Sequence, residues 1–328
     1  MRVFGQLCVV VCLVAGLAAD QAPDRAAGVL AEARKALGGE KLDAVKSVQA
    51  TGRAKRLRGN NIVPIEFEID MELPDKYLRK DEFPAEEADP TSTGFNGAGL
   101  IQIPPPAAPM AMPPGAAAAA AGRPGGPPPP GPPTPEQLAA QRTARVNTVK
   151  QDFVRLSLGL FATSFSAYPV TFTWAAQAEA PQGKADVLDV KGAANFALRL
   201  LVNSETHLPI MVSWQLPPTN VVMLAEGQPQ PASIAPGAVV VKAPALPPAS
   251  AAQDVKDAYA KEVQGLRAKA QATPVEHRLY FADYRDVDGV KWPFRLRRAI
   301  GADTTEETTF DRVRINSKID PKRFDVVK

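Results

Sequence analysis

The residues able to do chemistry in this chain are few. There are two histidines, His207 and His277, and histidine is the commonest general base and metal ligand near neutral pH. His207 lies before Pro209 in a segment that reads as a hairpin loop, which places it in solvent. His277 opens a strand and reads as a pleat-facing residue. The run Asp283-Tyr284-Arg285-Asp286-Val287-Asp288-Gly289 resembles a calcium loop but fails on register. With Gly289 in the sixth position, Tyr284 and Arg295 would fill the first and twelfth, where acidic ligands are required. Asp288-Gly289 between two strands is a hairpin turn instead. Glu306 and Glu307 are neighbours on a strand and point to opposite faces, so they cannot work as an acid/base couple. Arg295, Arg297 and Arg298 alternate with Phe294 and Leu296 as a solvated strand face; a patch for lipid head groups or a partner is the alternative. No His-Glu-x-x-His, Gly-x-Ser-x-Gly, Ser-x-x-Lys or phosphate-cradling glycine loop occurs. The expectation is a protein with no catalytic residue, no metal and no cofactor.

What remains is apolar. Phe67, Ile69 and Met71 share one strand face, as do Phe172 and Trp174, Phe196, Leu198 and Leu200, and Leu279 and Phe281 with Trp292 beyond them. These residues converge on one side of a sheet. An ordinary core and the inner face of an open barrel that holds acyl chains require the same alternation, so the pattern leaves both open. Val149, Phe153 and Leu156 belong to a helix that would cover this face as a lid.

The elements that position them follow from periodicity. Residues 24–37 read as a helix stopped by Gly38-Gly39, with a short second helix around Lys41–Val45. Ile65 to Leu73 alternates apolar and acidic residues without a break, the mark of an antiparallel strand with one wet face. Lys76–Phe83 and Gly99–Ile103 are further strands. Thr134-Pro135 caps a helix carrying Val146, Val149, Phe153, Leu156 and Leu160, with Arg142, Arg145 and Lys150 on its polar side. Strands resume at Val170–Trp174, Ala185–Lys191, Phe196–Val202 and Ile210–Gln215, and again at His277–Tyr284, Val290–Ile300 and Thr304–Ile315. Helices beside a mainly antiparallel sheet define an α+β domain.

Two segments interrupt it. The chain has 328 residues and 33 prolines, about twice the usual share of ~5%. Most of them fall in residues 104–133, almost wholly Pro, Ala and Gly and expected to be disordered, and in residues 217–274, Pro-rich with one helix at Ala252–Ala270. A formal net charge of +3 supplies no concentrated basic face, which argues against nucleic acid as a partner.

Residues 1–18 read as a secretory signal peptide: Met1-Arg2, an apolar run from Leu7 to Ala15, and small residues before the expected cut after Ala18. Leu7 and Val11 are too bulky to precede a lipidated Cys8 or Cys12. Both cysteines leave with the signal, so the mature chain, residues 19–328, has no thiol. The apolar run is shorter than the ~20 residues of a membrane span, and no later segment qualifies.

Ala36-Leu37-Gly38-Gly39-Glu40-Lys41-Leu42, then Val45-Lys46-Ser47-Val48-Gln49-Ala50-Thr51-Gly52, with Tyr284 to Pro293, Glu306 to Asn316 and the closing Ile319-Asp320-Pro321-Lys322-Arg323-Phe324, resembles the two ends of LolA-like periplasmic proteins, the outer-membrane lipoprotein-sorting superfamily. The resemblance excludes the two insertions. It implies an incomplete antiparallel β-barrel with helices packed as a lid over an apolar cavity, no catalytic residue, a periplasmic location, and lipid or lipoprotein acyl chains as ligand. The alternative on the same fold is an envelope interaction or stress-sensor module, whose Pro-rich segments contact an envelope protein.

Overall fold

Alternation of buried and exposed residues runs through strand after strand, and the computed structural model assembles those strands into one sheet. It describes residues 21–59, 61–86, 88–105, 134–180, 183–229 and 234–326. The expected signal peptide and residues 106–133 of the first insertion lie outside the described residues.

The chain opens with helices α1 (Gln21–Leu37) and α2 (Glu40–Asp43). A meander follows: β1 (Ser47–Arg58), β2 (Asn61–Glu72), β3 (Lys76–Glu82), β4 (Thr91–Asn96) and β5 (Gly99–Ile103). Helix α3 (Pro135–Phe161) leads into β6 (Val170–Ala180), β7 (Gly183–Gly192), β8 (Ala197–Asn203) and β9 (Pro209–Leu216). The second insertion holds β10 (Asn220–Ala225), β11 (Ala238–Ala243) and α4 (Gln253–Ala272). The last meander is β12 (Val275–Val287), β13 (Val290–Ile300) and β14 (Asp303–Ile315), closed by a 3-10 turn at Pro321–Phe324.

Twelve strands form a sheet in the order β5-β4-β3-β2-β1-β14-β13-β12-β9-β8-β7-β6. All its pairings are antiparallel, and β14 joins the N-terminal meander to the rest through β1. The sheet is open, with β5 and β6 as its edges. The fold is thus α+β with an open antiparallel sheet. Asp288 and Gly289 both take positive φ, 55° and 84°, the backbone of the tight hairpin turn that Asp-Gly favours.

One face of the sheet carries the core. Helix α3 begins with the expected cap, Thr134 accepting from the Gln137 amide while the Gln137 side chain accepts from Thr134 N–H. Its first turns are exposed, and burial begins at Val146 and becomes continuous from Phe153 to Phe161. Phe153 packs among Tyr77, Phe95 and Phe165 at ring separations of 5.4–5.8 Å. Gly159 allows the close approach to the sheet: a Cβ there would lie 2.1 Å from the Phe281 ring.

Three features depart from the sequence reading. β4 has no counterpart in it. β10 and β11 pair in parallel beneath α4, inside a segment whose proline content masks two short Val-rich strands. The acidic face of β2, expected to meet water throughout, includes Asp70, which is fully buried. The C-terminal segment covers it, with Ile319 and Phe324 packing on Leu78 and Ile101 in a second small core on that side of the sheet. Gln49 Nε2 donates to Asp70 at 3.0 Å and the Arg323 guanidinium pairs with it.

Candidate functional site

The residues singled out from sequence meet on the helix-covered face. Phe67, Ile69, Met71, Phe196, Leu198, Leu200, Leu279 and Phe281 are buried there, while Phe172 and Trp174, on edge strand β6, are half-buried. Of the helix residues, Phe153 and Leu156 are buried and Val149 is half-buried. This face is filled by the helices: the apolar side chains pack on α3 and α1 in one continuous cluster.

Toward one end of the same face the apolar residues give way to a polar row. Cross-strand register places Trp214 beside His277 and Glu306 beside Arg298, with Arg56 across from Glu306. At its β3 side the row is closed by ion pairs. Arg56 bonds Glu306 at 2.6 Å and Asp81 at 3.0 Å, and Arg79 bonds Asp81 at 2.6 Å and Glu306 at 3.2 Å. Burial pushes the Glu306 carboxyl up, but the Arg79 and Arg56 guanidinium groups outweigh it and hold the group down at about 2. Thr308 donates a further bond to Glu306. The Glu306–Glu307 pair divides as its spacing predicts, Glu306 inward and Glu307 exposed on the opposite face.

At the β9 side the row is less complete. Arg155 of α3, expected from no sequence feature, lies with its guanidinium 4.6 Å from the Trp214 ring centre and 5.3 Å from that of Phe196. The Trp214 and His277 rings stack at 5.5 Å. Burial pulls the His277 pKa down, and the charges of Arg155 and Arg298 pull the same way. A signal for Arg155 exists in the sequence: a helical stretch that is apolar all round is buried all round, and Arg155 sits inside one.

The opposite face holds an open hollow of about 920 Å³, toward the upper end of the range for small-molecule pockets, roughly 300–1,000 Å³. It crosses neighbouring strands from β2 to β8. Its lining is partitioned. Leu201, Met211, Tyr280 and Ala282, on β8, β9 and β12, form an apolar strip. Lys55, Arg295 and Arg297, on β1 and β13, form a basic one, with Glu307 between Lys55 and Arg297 in register. Among the described residues Lys55, Arg295 and Arg297 make no ion pair; Arg297 lies over the Tyr280 ring at 4.1 Å. Of the apolar residues expected from sequence to line a cavity, Phe281 alone borders this hollow. The expectation of a solvated strand face for the basic run holds for Arg295 and Arg297. Arg298 shares the inward parity of Phe294 and Leu296, and a register shift follows it.

Chemically, the arrangement can hold an amphiphile: apolar surface for a chain and unpaired cations for an anionic end. Among the described residues no group of three or more His, Cys, Asp or Glu side chains could hold a metal ion. No described helix is long and apolar enough to cross a membrane.

Fold and site together are those of an open antiparallel sheet with a helix-packed face and a partly basic hollow on the other. Three solved structures are similar to the chain, each covering 92% of it and 97% of its own length. They are a LolA superfamily protein from Nitrosomonas europaea (11% identity, TM-score 0.43), a putative outer membrane lipoprotein-sorting protein domain from Vibrio parahaemolyticus (9%, 0.41) and a DUF1329 family protein from Desulfovibrio piger (8%, 0.39). No family model and no curated protein matches the sequence.

Proposed function

We propose that this chain is an exported, non-catalytic carrier of the lipoprotein-sorting type that binds the acyl chain of an anionic lipid or lipoprotein. The observation that carries the reading is the partition of the hollow. An acyl chain laid along Leu201, Met211, Tyr280 and Ala282 leaves water at about 0.8 kcal/mol per buried CH₂, and its anionic end reaches Lys55, Arg295 and Arg297, which have no ion-pair partner among the described residues. The apolar face under α3 is the second place for a chain, reached if α3 swings away as a lid with Val149, Phe153 and Leu156; the hollow needs no such movement. In this reading residues 1–18 act as the export signal and the protein works in the periplasm.

Native mass spectrometry of the full chain extracted in mild detergent tests this. Bound lipid is expected, and Met211→Asp and Arg297→Glu are each expected to lower its occupancy at least tenfold. A protein that carries no lipid and takes none from vesicles containing phosphatidylglycerol overturns the reading. Lipid retained in both variants moves the ligand to the α3 face and overturns the hollow as its site.

A further inference from the structure

We propose that the Arg155–Trp214–His277–Arg298 cluster at the inner end of the sheet is a binding site for a small oxyanion group, a carboxylate or a phosphate. The site lies on the face opposite the hollow and does not depend on it.

Buried hydrogen-bonding groups in folded proteins are nearly always satisfied, and each one left over destabilises the fold. Here three are left over together. Arg155 Nε, Trp214 Nε1 and His277 Nε2 are buried and, among the described residues, have no hydrogen-bond partner. Their side chains touch one another through the Arg155–Trp214 and Trp214–His277 ring contacts. The Arg155 side chain is only 8% exposed, and its one ion pair is to Asp152, at 2.7 Å through a terminal nitrogen, with the carboxylate half in solvent. Arg298, close enough to act on both Arg155 and His277, makes no hydrogen bond or ion pair among the described residues.

Charge selects the ligand class. Arg155, Trp214 and His277 meet with Asp152, at the solvent side of Arg155, as their one bonded carboxylate. Arg298 adds a second guanidinium whose cross-strand partner Glu306 is, like Asp81, already bonded by Arg56 and Arg79. Guanidinium and indole groups only donate. A ligand that satisfies all of these groups must therefore accept several hydrogen bonds and carry negative charge, which is the chemistry of a carboxylate or phosphate. His277 and Arg298 are half-buried and form the side through which such a group enters.

The chain has three tryptophans, so indole N–H signals in a ¹H–¹⁵N spectrum of the full chain report on the site one residue at a time. Trp174 is the internal control, its Nε1 already bonded to Asp186 at 3.2 Å. At constant ionic strength in chloride, the Trp214 signal is expected to shift saturably with sodium phosphate, with sodium octanoate, or with both, while that of Trp174 stays in place. Phosphate alone assigns a free oxyanion, and octanoate alone assigns the carboxylate end of a lipid. Arg298→Gln breaks no ion pair and is expected to raise the half-saturation concentration about tenfold, the loss of one charge-assisted bond. No saturable shift with either anion, or an unchanged midpoint in Arg298→Gln, overturns the proposal.

Discussion

Glu306→Gln removes one charge from the four-membered network of Arg56, Arg79, Asp81 and Glu306 while keeping the shape of the side chain. Its cost can be worked from the structure. The carboxyl is 5% exposed and is held at about 2 against an ordinary 4.5. Lowering a carboxyl pKa tenfold in acidity constant corresponds to about 1.4 kcal/mol, so the ionised form contributes roughly 3 kcal/mol at pH 7. The magnitude matches the ~3–5 kcal/mol expected when one partner of a buried ion pair is removed and the other is left uncompensated. The sign follows from proton binding. Between pH 4.5 and 2 the unfolded chain binds a proton that the folded chain refuses, so the contribution is complete above 4.5 and is lost as the pH falls. At pH 3 about 1 kcal/mol remains. Urea unfolding followed by tryptophan fluorescence is the assay. With a slope of ~3 kcal/mol per molar for a chain of this size, the variant's midpoint is expected about 1 M below wild type at pH 7, with the gap narrowing by more than half at pH 3. A loss under about 1 kcal/mol at pH 7, or a gap of the same size at both pH values, refutes the assignment of Glu306 as an ionised, network-bound carboxylate.

Gly159→Ala places a methyl group 2.1 Å from the Phe281 ring and is expected to destabilise the fold by about 1–3 kcal/mol, the cost of overpacking, read as a lower urea midpoint with an unchanged slope. His277 resists protonation in the folded state because it is buried and faces Arg155 and Arg298. The unfolded chain takes up the proton below its ordinary 6.5, so stability is expected to fall as the pH drops below that value, and His277→Gln to flatten this part of a pH–stability curve. An equal slope in the variant counts against the buried, neutral imidazole.

Much of the sheet is legible because its strands obey a period of two. Ile65, Phe67, Ile69 and Met71 announce their face by alternation, and Thr134-Pro135 announces where α3 starts. What stays hidden depends on contacts between segments distant in sequence. Asp70 reads as a wet carboxylate until the C-terminal turn, with Phe324 and Arg323, folds over it. Val239 to Val241 reads as a fragment of a Pro-rich stretch until Val221 and Val222 lie alongside. The alternation also tells which side of a strand Tyr280 or Arg297 takes, but not that side chains from β2 across to β8 come together around one hollow. Arg155 is hard to pick out because it is a single charge in the last turns of α3, which are buried on every side, while the helix's other cations lie earlier and mark a polar side.

Leu216 and Val275 are direct partners at the adjoining ends of β9 and β12. The chain therefore departs from the ladder and returns to it at a single rung, and everything from residue 217 to 274 hangs from one hairpin position. Loop-closure entropy grows slowly with length, by roughly 0.6 kcal/mol per doubling, so the rung tolerates cargo of almost any size. The register on either side is therefore set by the strands themselves, and the length of the excursion is a free variable of the ladder.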